Sequence, residues 1–100
     1  MSRSYTFQFV DGYDDDPDLS RTKGWVSGAL KFADGTIYQL YFVTPLRLTQ
    51  DATDEFARGL PFYAEPNTIM VIDITRDRVL AAVLAVVSGD FIHNLVVDKR

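Results

Sequence analysis

The segment from Trp25 to Val43 constrains the fold more than any other part of this chain. It reads Trp-Val-Ser-Gly-Ala-Leu-Lys-Phe, then Ala33-Asp34-Gly35, then Thr-Ile-Tyr-Gln-Leu-Tyr-Phe-Val. Two alternating runs about an Asp-Gly turn signal describe a β-hairpin. The hairpin can close in two registers. A two-residue loop pairs Ala33 with Thr36 and sets Leu30 opposite Gln39 and Lys31 opposite Tyr38, so each face mixes polar and apolar side chains. A three-residue loop, with Gly35 left-handed at a bulge, pairs Phe32 with Thr36 instead. One face then carries Val26, Gly28, Leu30 and Phe32 across from Phe42, Leu40, Tyr38 and Thr36. The other carries Trp25, Ser27, Ala29 and Lys31 across from Val43, Tyr41, Gln39 and Ile37. A slip of one residue turns every side chain to the opposite face, so the register that separates a clean apolar face is the expected one.

The chain has 100 residues, no cysteine and one histidine. That length suits a single domain over residues 1–100, able to bury roughly 60–70% of its unfolded surface without covalent staples. The missing cysteine excludes a disulfide framework, a thiolate metal site and a cysteine nucleophile. A net charge of −4, with no basic run longer than Lys99-Arg100, argues against nucleic acid as a partner. An acidic chain is compatible with a basic protein partner and equally with plain solubility. The most apolar stretch, Val79–Val87, is far short of the ~20 residues that span a bilayer, and no signal peptide is read at the start. The expectation is a cytoplasmic protein with no membrane partner.

Tyr5–Val10 alternates as a first strand, and Asp11–Thr22, with its five aspartates, reads as a loop. After the hairpin, Thr44-Pro45 marks a helix entrance, and Leu48, Ala52 and Phe56 recur at helical spacing as a core-facing stripe. Gly59 and Pro61 stop that helix, and Phe62–Asn67 is an irregular connection. Thr68–Ile74 is β-branched and apolar on both faces, as a strand covered on both sides would be. A second helix is expected over Arg76–Ser88, with Thr75 as N-cap and Gly89 closing it. Its valines and leucines leave only Asp77, Ala81, Ala85 and Ser88 for water, so the helix is either deeply buried or meets a partner. The order βββαβα gives an α+β fold, a mainly antiparallel sheet with two helices packed on one face. The tail Phe91–Val97 fits a short helix or a strand equally.

Few residues suggest chemistry. Counted as a calcium loop from Asp14, the sixth position is Leu19 rather than glycine and the twelfth is Trp25 rather than glutamate, so the run reads as a solvated segment. His93 is alone, and nothing marks a strained nucleophile turn near it. Glu65 sits in a proline-bounded aromatic loop, but no second carboxylate stands beside it at a recognisable spacing. Arg76 and Arg78 lie in the first turn of a helix, where the macrodipole disfavours cations; pairing with Asp73 and Asp77 would explain them. No catalytic constellation, metal site or cofactor is expected, and an enzyme is disfavoured. The face left over after the core is assigned carries Trp25, Ile37, Tyr41 and Val43, residue types that mark contact surfaces. The preferred function is therefore a non-catalytic interaction module, self-associating as a dimer through that face or neutralising a basic protein partner in the manner of an immunity protein. The alternative is a ligand-binding or hydrolytic domain with a pocket near residues 61–67, using Tyr63, Glu65 and His93.

Overall fold

The structure is a computed structural model that describes residues 4–10 and 12–99. Asp11, within the expected loop, and Arg100, of the terminal basic pair, lie outside the described residues. Among the described residues the fold is α+β: a sheet of four strands in the order β1-β2-β3-β4, with three α-helices. β1 is Tyr5–Phe9, β2 Trp25–Phe32, β3 Ile37–Val43 and β4 Thr68–Met70. α1 is Pro17–Lys23, α2 Pro45–Ala57 and α3 Arg76–Ser88.

The hairpin adopts the register that separates its faces. Trp25 lies opposite Val43 and Lys31 opposite Ile37. At the turn the Phe32 amide donates to the Thr36 carbonyl (2.9 Å), the Gly35 amide donates to the Phe32 carbonyl (3.0 Å), and Gly35 has φ +93°. β1 adds antiparallel to β2 with Phe9 opposite Gly28, which puts Tyr5, Phe7 and Phe9 on the same side as Leu30 and Phe32. That inner side packs on α3, and Val26, Leu30, Phe32, Tyr38, Leu40 and Phe42 form one core with Val79, Val83, Val86 and Val87.

The sequence reading departs from the structure in several places. The sheet is mixed, its first two pairings antiparallel and its last parallel: β4 runs parallel to β3 (Phe42 opposite Ile69), with α2 forming the crossover between them. β4 also stops at Met70 instead of reaching Ile74, and Ile72 is 72% exposed, so this segment is not covered on both faces. The expected loop contains α1. Asp16 caps it by accepting from the Leu19 amide (3.1 Å), and Pro17 takes its first turn. Asp14 pairs with Arg76, so the acidic segment is partly built into the fold.

The two expected helices form as read, but they do not share a face. No residue of α2 is buried and none belongs to the core. Its half-covered positions are Arg47, Leu48, Asp51, Ala52 and Glu55, whereas Phe56 is 53% exposed. A stripe with that many polar groups skims a surface rather than packing into a core. α3 is buried on one side only, and Leu80 and Leu84 face outward beside the alanines. The tail forms a 3₁₀ turn at Asp90–Asn94, and Lys99 then bridges back to Ile37.

Arg76, at the start of α3, is placed differently from expectation, whereas Arg78 acts electrostatically on Asp73 as expected. The Arg76 guanidinium lies 4.9 Å from the Phe9 ring centroid and 5.5 Å from that of Tyr13, which stack on each other at 4.1 Å. Asp73 is taken by Arg21 instead (2.7 Å), an ion pair that ties α1 to the turn before α3. The Arg21 hydrogen bond holds the Asp73 carboxyl below the usual aspartate range.

Candidate functional site

The outer side of the sheet, opposite α3, carries a cleft that uses every element around it. Alternation along β3 turns Tyr41 to this side, and its ladder partner in β4, Thr68, stands beside it. The Thr44 hydroxyl oxygen accepts from the Arg47 amide (3.3 Å) and launches α2 across the same side. α2 and its C-cap bring Asp51, Asp54, Glu55 and Arg58 to the cleft, at spacings of three, four and seven residues from the first. The 61–67 connection supplies the remaining wall with Tyr63, Glu65 and Pro66. The enclosed space is about 480 Å3 and opens to solvent.

Among the described residues the cleft is lined by four carboxylates and by the guanidinium of Arg58, with Arg47 reaching it through Asp51, so its charge balance is negative. Arg58 pairs with Glu55, and Asp51 accepts from Arg47 Nε at 2.9 Å. Asp54 and Glu65 form no ion pair within the described residues. Burial, reinforced by the Asp51 carboxylate, pushes the phenols of Tyr41 and Tyr63 above their ordinary value. Glu65 adds to both, so each phenol stays protonated and neutral through the physiological range. The Thr68 hydroxyl oxygen is buried beneath this wall without a hydrogen-bond partner.

Asn67 fixes the far end of the connection. It holds φ +58°, a backbone conformation that asparagine tolerates better than most residues. Its side-chain amide donates to the carbonyls of Gln39 (2.9 Å) and Val96 (2.7 Å), and its Oδ1 accepts from the Val96 amide (2.7 Å). The Tyr41 amide donates to its carbonyl (3.0 Å). One residue thus laces strand, connection and tail together behind the cleft wall.

The residues singled out from the sequence are only partly brought together. Tyr41, Tyr63 and Glu65 meet in the cleft. His93 is exposed in the 3₁₀ turn and does not line it. Trp25 is half-buried at the α2 entrance end, 5.5 Å from the Tyr41 ring, with Lys23 Nζ 4.6 Å above it. Ile37 is half-buried at the opposite end of the hairpin, where its amide donates to the Lys99 carbonyl (2.7 Å). Val43 shares the outer side by register but is fully buried by its own chain, so it offers no surface to a partner. The residues overlooked are Asp51, Asp54, Glu55 and Arg58. Their signal was present as a charged stripe at helical spacing, masked by reading helical periodicity through apolar residues alone.

The arrangement can hold a cation. Aromatic faces attract positive charge, and unpaired carboxylates in a recess strengthen that attraction. Among the described residues no three carboxylate or imidazole groups converge as a metal ion requires, so the negative charge is spread along the walls. Such a site suits an organic cation on an apolar stem. The chain matches no protein-family model, no curated protein and no solved structure. No helix among the described residues is long and apolar enough to cross a membrane.

Proposed function

We propose that this chain is a non-catalytic interaction module that binds a basic protein partner through the outer side of its sheet. The observation that carries this reading is the pair Asp54 and Glu65, two cleft carboxylates left without a counter-ion beside two neutral phenols. A recess with surplus negative charge attracts a lysine or arginine side chain and speeds its encounter. Pairing of two copies through the Trp25 end of the same side belongs to this proposal. Trp25 keeps part of its ring in solvent, and tryptophan is enriched in the centres of interfaces.

The test is a titration of the isotopically labelled protein with a lysine-rich peptide and with a glutamate-rich control. The basic peptide should move the resonances of Tyr41, Tyr63 and Thr68, with affinity falling as salt is added. Indifference to both peptides, or shifts confined to residues away from the cleft, would overturn the reading.

A further inference from the structure

The acidic cleft does not end at Glu65. A smaller depression of about 210 Å3 continues from it, lined by Leu60, Phe62 and Ala64, and shares Glu55, Tyr63 and Glu65 with it as a common wall. Phe62 is 68% exposed and Leu60 49%. Phe62 lies between Pro61 and Pro66, and Leu60 directly precedes Pro61, so both are held by backbone that loses little freedom on binding. Large apolar side chains held out beside a charged recess are unfavourable to leave wet, and contiguous patches of this kind mark protein contact surfaces. A free amine would satisfy the cleft and leave Leu60 and Phe62 uncovered. A polypeptide that follows its basic residue with an apolar one covers both.

We infer that the two depressions together receive one short segment of the partner, a basic side chain in the cleft and an apolar side chain in the Leu60–Phe62–Ala64 depression. This rests on the reading of the outer side as the site for a basic protein. The chemistry divides along the shared wall. Asp54 and Glu65 meet the incoming charge, Tyr41 and Tyr63 cover its alkyl stem, and Phe62 and Leu60 bury the apolar neighbour. In an extended segment, side chains two residues apart fall on the same side, about 7 Å from one another. For a segment bound in extended form, basic–any–apolar is the shortest spacing that puts both side chains on one side, in whichever chain direction the partner runs. Arg58, paired with Glu55 at the boundary, keeps that carboxylate occupied and leaves Asp54 and Glu65 to do the recognition.

The experiment uses four capped peptides that differ at two positions, with lysine or serine at the first and leucine or serine two residues on, and the same set in reverse order. Calorimetric titration should rank the lysine–leucine peptide roughly tenfold tighter than lysine–serine, the increment expected for covering one aliphatic side chain in part. Phe62→Ser should abolish that increment, bringing the lysine–leucine peptide down to the affinity of lysine–serine measured on the same variant. Asp54→Asn combined with Glu65→Gln should instead remove the contribution of the lysine. These three positions are exposed, and thermal melting of each variant verifies the fold. Equal binding of lysine–leucine and lysine–serine by the wild type would overturn the two-depression inference while the basic-partner reading stands. Binding that depends on leucine alone, or no binding of any peptide, would overturn both.

Discussion

Phe7 occupies the space above Gly28 in which any side chain would have to stand. A Cβ at Gly28 would collide with the Phe7 ring and lie 2.9 Å from the Gln8 carbonyl oxygen. The ring has no easy retreat, because it meets Phe9 edge-on at 5.2 Å and Phe42 at 5.8 Å. Gly28→Ala should therefore lower the unfolding free energy by roughly 1–3 kcal/mol, as overpacking does, in a denaturant titration. Gly35 isolates a different cause. Among the described residues no heavy atom lies within 4 Å of where its Cβ would be, so the loss in Gly35→Val comes chiefly from the backbone at φ +93°. About 1–2 kcal/mol is expected, with Gly35→Asn losing less because asparagine visits that region more readily. The Gly35 turn was legible from the alternating runs; the Phe7 contact was not, since it depends on how β1 registers against β2.

At the scale of elements, α1 shows how a correct rule can be overridden. Asp16-Pro17 has the same grammar as Thr44-Pro45, a capping residue followed by proline in the first turn. The second was read as a helix entrance, whereas five neighbouring aspartates drew the first towards a solvated loop. In the structure Asp16 is a cap, Asp14 an ion-pair partner and Tyr13 a core residue. α2 was legible in its limits but not in its orientation, because its apolar and acidic stripes both have helical spacing. That orientation has a titration signature. The phenols of Tyr41 and Tyr63, raised by burial and then by Asp51, should ionise at higher pH than the exposed tyrosine of a model peptide. A folded value above the unfolded one means the stabilisation is complete below the ordinary tyrosine value near 10 and is lost as pH rises through the folded values. Ultraviolet titration of wild type against Tyr41→Phe and Tyr63→Phe checks this. Each variant should remove a late-ionising component and flatten the alkaline loss of stability. Ionisation of Tyr41 and Tyr63 at the ordinary value would contradict their half-buried placement beside Asp51.

Over the whole molecule, one sheet separates two unlike layers. The inner side is a continuous apolar core under α3, and the outer side holds the charged cleft under α2. Trp25 belongs to the outer side and lies outside the core cluster, so replacing it tests association rather than folding. Trp25→Lys should retain a cooperative melt, somewhat lowered by loss of the Tyr41 contact. In sedimentation equilibrium at high micromolar concentration it should have a smaller mass than the wild type. Equal masses would remove self-association from the proposal and leave the basic partner alone.

The sequence by itself determined the hairpin register, the limits of α2 and α3 and the valine stripe of α3, because each is set by local periodicity and capping chemistry. It also marked Tyr41 on the outer face and Tyr63 and Glu65 in a pocket near residues 61–67, though without a reason to join the two. Only the tertiary structure decided that β4 runs parallel to β3, that α2 crosses the side opposite α3, and that Asn67 locks the 61–67 connection to the tail. These depend on contacts between segments distant in the chain, where side chains of equal local propensity compete for the same face. The cleft arises from that competition: α2 brings its acidic stripe over Tyr41, and the surplus charge of Asp54 and Glu65 gathers where no segment of the sequence had placed it alone.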